Sequence, residues 1–475
     1  MRVFPATMQD ARRRGAYFFF SHAVLRSAVV AVVALSFLSF CGRPSRNSSR
    51  APSFILISLD TTRADHLGFY GYERDTTPFL DELAKRAIVF EDAISSSQNT
   101  LLSHASLLTG LSTSVHGATP YGETRAIHPA FTTLAEDLSA HGYRTAAFLA
   151  HADWLSKTFS FDQGFERFTS KYRSAELVLR QARRWLSRQS LETPYFLFLH
   201  LYDVHSDWGR RPYDAPDAFR GRFVTRDFDT KGMRGSDYLG AVNLHNMEIT
   251  PDEVAVLRDQ YDEGLAYVDH RLDVFFDSLD SDSLEHTWII VVADHGEGFL
   301  EHGRLLHASF HDEIVRVPLM LVPPRDGGGL PQTPVRISEQ VRLIDVRPTV
   351  LSLAGLPAVS DTEGVDLVPC MRTEDPCPSL PATLEDTALR FKGFKLIRDG
   401  DLTSLFDLDK DPGEQADLVH HPEMQERLQN LTEMLDSLLA EQLVMRERIL
   451  QGEASPFVEM APEAEERIRA LGYVQ

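Results

Sequence analysis

Apolar runs rich in β-branched residues alternate with helix-like segments along most of this chain. The runs typical of buried strands cover residues 53–59, 145–150, 195–199, 288–293 and 317–322. Segments with helical spacing lie between or after them, at 78–90, 131–141, 174–190, 251–279 and 343–354. Strands that alternate with helices favour a mostly parallel sheet covered by helices on both faces. The sequence therefore predicts an α/β fold.

Its 475 residues are enough for one large domain and a smaller one. We predict a leader and linker over 1–50, a large catalytic domain over 51–358, a linker over 359–380 and a C-terminal α+β subdomain over 381–475. Short strands at 388–391 and 395–398 and helices around 421–449 define that subdomain. Within the large domain, residues 206–250 are polar and irregular, which is typical of an insertion beside a substrate.

The N-terminal segment has the pattern of an export signal. Three arginines, Arg12 to Arg14, precede an apolar run from Ala28 to Phe40. Extended back to Tyr17, the segment could also span a bilayer and associate the protein with a membrane, and a buried core helix is the remaining alternative. We expect an exported protein, periplasmic or anchored facing outside the cytoplasm.

Charge and cysteine content narrow the partners and the compartment. The net charge of −21 argues against a nucleic-acid partner. Of the three cysteines, Cys370 and Cys377 are close enough to pair in an oxidising compartment, and Cys41 belongs to the leader.

A hydroxyl stands at the start of a short predicted helix in the stretch from Asn99 to Gly110. Thr100 precedes an apolar helical pattern that ends at Gly110, where a glycine would stop the helix. Unpaired backbone N–H groups and the positive end of the helix dipole favour an alkoxide or an oxyanion there. An ordinary N-cap threonine is the structural alternative.

Acids and histidines directly follow three of the predicted strands. Asp60 follows the first, His200, Asp203 and His205 the third, and Asp294-His295 the fourth. Ligands of a parallel sheet bind at the carboxyl ends of its strands. Each residue alone would more simply cap a helix or lie in the core, but together they predict a pocket suited to Zn²⁺ or Mn²⁺. Such an ion would lower the pKa of the Thr100 hydroxyl.

Five segments carry a family resemblance. They read SLDTTRADHLGFYGY (58–72), TLLSHASLLTG (100–110), DHGEGFLEHG (294–303), HASFHDEIVRVP (307–318) and DLDKDPGEQADL (407–418). Together they resemble the sulfatases of the alkaline-phosphatase superfamily, from about residue 53 almost to the C-terminus. The resemblance implies the alkaline-phosphatase-like α/β fold with a C-terminal subdomain. It also implies that Asp60, Asp294 and His295 bind a metal beside the nucleophile, and that Asp203 and His205 lie in the active site.

Departures from the family pattern concern the nucleophile and the lysines. The C-x-P-S-R motif is replaced by Thr100 to His104, and threonine is not a substrate for conversion to formylglycine. Thr61 occupies the position of the second acidic ligand in the family pattern, directly after Asp60. Ala150 and His307 occupy the positions of the two lysines of that pattern. In these respects the chain resembles phosphoethanolamine and phosphoglycerol transferases and nucleotide phosphodiesterases, which use Zn²⁺ or Mn²⁺, often as a pair.

The resemblance therefore implies one or two divalent ions, Zn²⁺ or Mn²⁺ being favoured and Ca²⁺ the alternative. It assigns four ligands to the first: Asp60, Thr100, Asp294 and His295. It assigns His205 and His307, with Asp203, to the second. Asn99, His104 and His205 are candidates to contact the transferring group, local turn hydrogen bonds being the alternative for Asn99 and His104. Arg63 is either a structural ion-pair partner or a substrate contact.

We expect an exported metal-dependent hydrolase of phosphate or sulfate esters that forms a covalent Thr100 ester, with phosphoesters favoured. The substrate would be a small-molecule, glycan or lipid ester. Three alternatives stay open: a sulfuric ester hydrolase, a transferase of phospho-headgroups to lipid or glycan, and a non-catalytic envelope binding protein.

Overall fold

The computed structural model describes residues 50–150, 153–172, 174–206, 211–226, 228–244, 247–325, 327–330, 334–372 and 376–459. Ala51–Gln475 form one compact unit. The predicted leader lies outside the described ranges. No helix within those ranges is both long and apolar enough to cross a membrane.

Fifteen strands occur in the described ranges. In chain order they are β1 (Ser53–Leu59), β2 (Ile88–Ile94), β3 (Arg144–Ala150), β4 (Arg167–Tyr172), β5 (Tyr195–Leu201), β6 (Thr287–Val292), β7 (Gly298–Phe299), β8 (Leu305–Leu306), β9 (Arg316–Val322), β10 (Val335–Ile337), β11 (Val341–Arg342), β12 (Ala382–Leu384), β13 (Ala388–Phe391), β14 (Phe394–Asp399) and β15 (Leu402–Asp407).

Nine of these strands form the main sheet, in the order β10-β2-β9-β6-β1-β5-β3-β4, with β11 also paired to β2. Only β9 runs antiparallel to its neighbours β2 and β6. The expectation of a mostly parallel α/β sheet is confirmed.

The helices are α1 (Pro78–Ala84), α2 (Thr100–Thr109), α3 (Thr113–His116), α4 (Leu134–Ala140), α5 (Ala175–Leu186), α6 (Gly235–Asn243), α7 (Pro251–Asp277), α8 (Ser281–Leu284), α9 (Asp312–Val315), α10 (Val346–Leu353), α11 (Val368–Met371) and α12 (Gln425–Leu450). Sequence signals define several of their ends. Thr133 and Thr250 each form a capping box at the start of α4 and α7.

Strand β1 is the centre of the sheet, and all seven of its residues are buried. It pairs in parallel with β5 and β6, which places Ile57 beside Leu199 and Val291. Alternate residues of β1 enter two different apolar clusters, Phe54 in one and Ile55 in the other. Both faces of the sheet are therefore covered, as a buried parallel sheet requires.

The C-terminal part forms a second, antiparallel sheet in the order β12-β13-β14-β15. One face of it joins an apolar cluster with Ile94 at the end of β2 and Val315 at the end of α9. Its other face packs on α12. Cys370 and Cys377 form a disulfide ahead of this sheet.

Three predicted elements were wrong in extent. The helix predicted over 78–90 ends at Ala84, and its apolar end belongs to β2, because the run from Ile88 to Phe90 packs better in a sheet than on a helix. The irregular region 206–250 contains α6. The helices predicted around 421–449 are the single helix α12.

Candidate active site

Four of the predicted site residues meet at the carboxyl edge of the main sheet. Asp60 follows β1, Asp294 and His295 follow β6, and Thr100 begins α2. Each of Asp60, Asp294 and His295 offers a ligand atom within 4.8 Å of the others. The Thr100 Oγ1 atom lies 3.3 Å from His295 Nε2. All four side chains are buried, so the site is a closed polar cluster.

Asn99 is the residue that starts the helix of the nucleophile candidate. Its Oδ1 accepts a hydrogen bond of 3.0 Å from the Leu101 N–H, which makes it the N-cap of α2. Its Nδ2 is buried and has no hydrogen-bond partner among the described residues. The side chain thus makes the local turn bond with its oxygen and retains a donor beside Thr100.

The two carboxylates are held with one oxygen each unsatisfied. Asp294 Oδ1 accepts from the backbone N–H groups of Thr61 (3.2 Å) and His295 (3.0 Å). Asp294 Oδ2 and Asp60 Oδ1 have no hydrogen-bond partner in the part of the chain that the structure describes. Thr61 adopts a φ of 52°, a strained conformation for a β-branched residue. Buried orphan oxygens and local strain in one place are typical of a ligand site.

The pKa values of Asp60 and Asp294 are shifted in opposite directions. Burial and the neighbouring charge of Asp294 raise the pKa of Asp60 to about 7. Burial also pushes the pKa of Asp294 upward, but His295, His104 and His200 outweigh it and lower that pKa to about 2. In the absence of a cation, the pair therefore retains a proton on Asp60 below about pH 7.

Backbone carbonyls fix the tautomers of three histidines. The Nδ1 atoms of His295, His104 and His200 face the carbonyl oxygens of Gly296 (3.0 Å), Thr100 (2.8 Å) and Ala150 (3.1 Å). Because a carbonyl only accepts, each Nδ1 carries the proton. Every Nε2 is then unprotonated and can act as an acceptor.

The three Nε2 atoms face different groups. That of His295 faces Thr100, and that of His104 lies 2.9 Å from Ser58 Oγ. That of His200 lies 2.8 Å from Asp60 Oδ2. Burial lowers the pKa of His104 and of His200 to about 4. Both rings are therefore neutral near pH 7, and His104 has both nitrogens engaged by protein groups.

His205 and His307 lie next to the first group. The His307 ring centroid is 4.4 Å from that of His295 and 5.4 Å from that of His205. Glu297 joins them, with its Oε1 3.5 Å from His307 Nδ1, and burial raises the pKa of Glu297 to about 7. The structure thus brings both predicted histidines to the edge of the same site.

Asp203 and Arg63 make most of their contacts outside this group, the exception being Arg63 Nη1, which donates a 3.0 Å hydrogen bond to the Glu297 carbonyl. Asp203 Oδ2 accepts from the Ala175 N–H at the start of α5, a helix-capping contact. Arg63 forms ion pairs of 2.7 Å with Asp65 and 2.8 Å with Glu301, which are structural contacts.

A third cluster of ligand-type residues lies farther along the chain, formed by His302, His311 and Glu313. The two imidazole rings are stacked, with centroids 3.5 Å apart and planes at 4°. A metal must lie close to the plane of each imidazole that binds it, and two parallel planes at this spacing leave no such point. This cluster is an ion-paired histidine stack rather than a metal site.

Sequence reasoning gave no role to Glu297 or Ser58, and it placed His200 in the predicted pocket without a specific role. His200 was noted only as part of a histidine group after β5, whereas it is the penultimate residue of that strand. Glu297 belongs to the quoted DHGE segment and is fully buried. An acid inside such a motif could have been recognised from the sequence as a site residue. Ser58 lies in an apolar strand, where no sequence pattern indicates a role in the site.

Comparison with known proteins identifies the family of this chain. The family model described as Sulfatase matches residues 52–356. The chain is 26% identical over 470 residues to arylsulfatase K of Gallus gallus, covering 84% of each chain. Phosphonate monoester hydrolase of Agrobacterium radiobacter has a similar fold, with a TM-score of 0.65 at 19% identity, covering 82% of this chain and 96% of that one. BT4656, solved with its substrate D-glucosamine-2-N,6-O-disulfate, gives the same TM-score of 0.65 at 19% identity, over 82% of this chain and 98% of that one. Because that family model spans more than half of its residues, this chain belongs to the sulfatase family.

Proposed function

We propose that this sulfatase-family hydrolase is an exported, divalent-metal-dependent enzyme that cleaves ester-linked oxyanions through a covalent ester of Thr100, with phosphoesters preferred. The observation that carries the proposal is the position of the Thr100 hydroxyl. It lies at a helix start, 3.3 Å from His295 Nε2, in a cluster with two carboxylates that each keep an orphan oxygen.

The donor set fits a divalent cation. Asp60 Oδ1, Asp294 Oδ2, His295 Nε2 and the Thr100 hydroxyl supply oxygen and imidazole ligands, a combination that suits Zn²⁺ or Mn²⁺. Two buried carboxylates this close repel each other unless a proton or a cation lies between them. When bound, a divalent ion would lower the pKa of the hydroxyl and offset the charge of the transferring group.

The residues of the chain account for two successive displacements. In the first, Thr100 Oγ1 forms a bond to phosphorus or sulfur, the bond to the leaving alcohol breaks, and the hydroxyl proton ends on that alcohol. In the second, a water oxygen forms a bond to phosphorus or sulfur and the bond to Thr100 Oγ1 breaks. A proton from the water restores the hydroxyl, and the phosphate or sulfate product leaves with the water oxygen. The backbone N–H groups that begin α2 and the donor on Asn99 Nδ2 can hold the oxygens of the transferring group.

The preference for phosphoesters is supported by the side chains around the nucleophile. The resemblance places lysine at the position of His307, and that imidazole lies beside His295 and His205. An imidazole is a ligand for a metal ion, whereas a lysine supplies a fixed positive charge. His205 and His307, with Glu297 close by, can therefore bind a second ion. Two ions suit the greater charge of a phosphoryl group.

Sulfate ester hydrolysis is the second candidate. The name of a relative of this chain, arylsulfatase K, favours sulfate esters. The threonine at position 100 and the imidazoles around it do not favour sulfate over phosphate. The two candidates share the same nucleophile and differ in the charge of the group transferred.

Export is supported by the leader pattern of residues 1–50 and by the Cys370–Cys377 disulfide, since such bonds persist in oxidising compartments.

The deciding experiment compares nitrophenyl sulfate, phosphate, phosphodiester and phosphonate esters with Zn²⁺, Mn²⁺ and Ca²⁺ after treatment with chelator. We expect turnover of phosphoesters or phosphonates with Zn²⁺ or Mn²⁺, at least a thousandfold loss in Thr100→Ala, and partial retention in Thr100→Ser.

Thr109→Ala is the matched control. Thr109 lies on the same buried helix, and its hydroxyl only donates to the Ala105 carbonyl. Turnover of the sulfate alone, with Ca²⁺, would overturn the phosphoester preference. Full activity in Thr100→Ala would overturn the proposed function itself.

A further inference from the structure

A hairpin of the C-terminal sheet reaches the loop that precedes the nucleophile. Glu385 lies in the turn between β12 and β13 with a φ of 55°, a backbone conformation that non-glycine residues rarely adopt. The Glu385 N–H donates a 3.0 Å hydrogen bond to the Ser96 carbonyl. Contacts of the surrounding fold therefore hold this turn in place.

The side chain of Glu385 is connected by hydrogen bonds, through Ser97, to Asn99, the residue before Thr100. Ser97 Oγ donates a hydrogen bond of 2.7 Å to Glu385 Oε1 and accepts one of 2.9 Å from the Asn99 N–H. When Glu385 is ionised the directions are fixed, because an N–H can only donate and a carboxylate can only accept. Asn99 in turn caps α2 through Leu101.

Burial makes this relay sensitive to the loss of one member. Ser97 and Asn99 have no exposed surface and Glu385 is only partly exposed, so water replaces a missing partner less readily than at the protein surface. Burial also raises the pKa of Glu385 to about 7. With the acceptor gone, the Ser97 hydroxyl could turn to another acceptor and leave the Asn99 N–H unpaired.

We infer that Glu385 is a positioning residue for the nucleophile: it orients the Ser97 hydroxyl, which holds Asn99 and thereby the first turn of α2 and the Thr100 side chain. This inference rests on the proposed function of Thr100. It gives the C-terminal hairpin a part in catalysis without a contact to the substrate.

Three substitutions at Glu385 separate its side chain from its backbone. Glu385→Ala removes the acceptor, and we expect kcat to fall by about ten- to a hundredfold with KM within about twofold, as for a small displacement of a reacting group. Glu385→Gln keeps an oxygen acceptor and should retain kcat within about threefold. Glu385→Gly relieves the positive φ but lacks the acceptor, so kcat should fall as in the alanine variant without a lower Tm.

Ser97→Ala provides the second leg of a double-mutant cycle. If the two residues act as one relay, Ser97→Ala should lower kcat by a similar factor, and the double variant should lose little more than either single one. Independent, multiplying losses would overturn the inference.

Hydrogen exchange of the amides in 97–101 supplies a readout that needs no substrate. Faster exchange in the alanine and glycine variants, with wild-type exchange in the glutamine variant, is expected. The inference fails if exchange is unchanged, if kcat is unchanged in folded Glu385→Ala, or if Glu385→Gln is as damaged as Glu385→Ala. Failure of the proposed function would give a different result, because the wild-type protein would then show no turnover that depends on Thr100.

Discussion

Replacing Asp60 by asparagine should stabilise the metal-free protein, and increasingly so as the pH rises. The pKa of Asp60 is raised from 3.8 to about 7 by burial and by the charge of Asp294. A group with a raised pKa in the folded state holds a proton that the unfolded chain releases. Its contribution to stability is therefore present below pH 3.8 and is lost as the pH rises through about 7.

The size of the effect follows from the same two pKa values. At about 1.4 kcal/mol per pKa unit, the penalty in the free energy of unfolding is roughly 2 kcal/mol at pH 5 and roughly 4 kcal/mol at pH 8. Asparagine cannot ionise, and its amide can donate to His200 Nε2, which lies 2.8 Å from Asp60 Oδ2. The stability advantage of Asp60→Asn should thus grow by roughly 2–3 kcal/mol between the two pH values.

Urea denaturation after chelator treatment, at pH 5 to 8, measures this difference directly. With Zn²⁺ or Mn²⁺ at about a hundred times its dissociation constant, wild type should gain about 2.7 kcal/mol that the variant, which lacks a ligand, does not gain. The order of stability should therefore reverse at pH 5, and the advantage of the variant should shrink at pH 8. Asp269→Asn is the matched control: burial raises the pKa of Asp269 to about 7 as well, but it accepts backbone N–H bonds at the start of α1. The difference in the free energy of unfolding between Asp269→Asn and the metal-free wild type should show the same pH trend, and the control variant should gain as much from metal as wild type does. A pH-independent difference for Asp60→Asn, or one that metal leaves unchanged, would refute the reasoning.

Two further predictions concern stability. Arg347→Met should lower the free energy of unfolding by about 3 kcal/mol, because Arg347 is fully buried and pairs with Asp137 at 2.8 Å and Asp361 at 3.2 Å; a loss below about 1 kcal/mol in urea denaturation would contradict this role. Replacing both Cys370 and Cys377 by serine should cost about 2–3 kcal/mol, the chain-entropy value for a loop closed over a separation of seven residues. Equal unfolding midpoints with and without reductant would contradict the second prediction.

The sequence was most informative where one residue type implies one geometry. Acids and histidines directly after apolar strands placed Asp60, Asp294 and His295 correctly at one edge of a mostly parallel sheet, since the carboxyl ends of such strands share that edge. The position of Thr100 at the start of a helix followed from Gly110 and the apolar spacing between them.

Pairings between distant parts of the chain could not be predicted in this way. Strand β2 was assigned to a helix because a short apolar run fits either period. The partners of His200 depend on the register of β1 and β5, which brings its ring to Asp60. The contact of Glu385 with Ser97 spans 288 residues, and no local pattern encodes it.

Every residue of α2 from Thr100 to Thr109 is buried. A larger side chain anywhere along this helix would have to displace packed neighbours. Changes of substrate during evolution, or in the laboratory, are therefore expected to accumulate on the surrounding loops and the C-terminal hairpins, while the helix itself tolerates little variation.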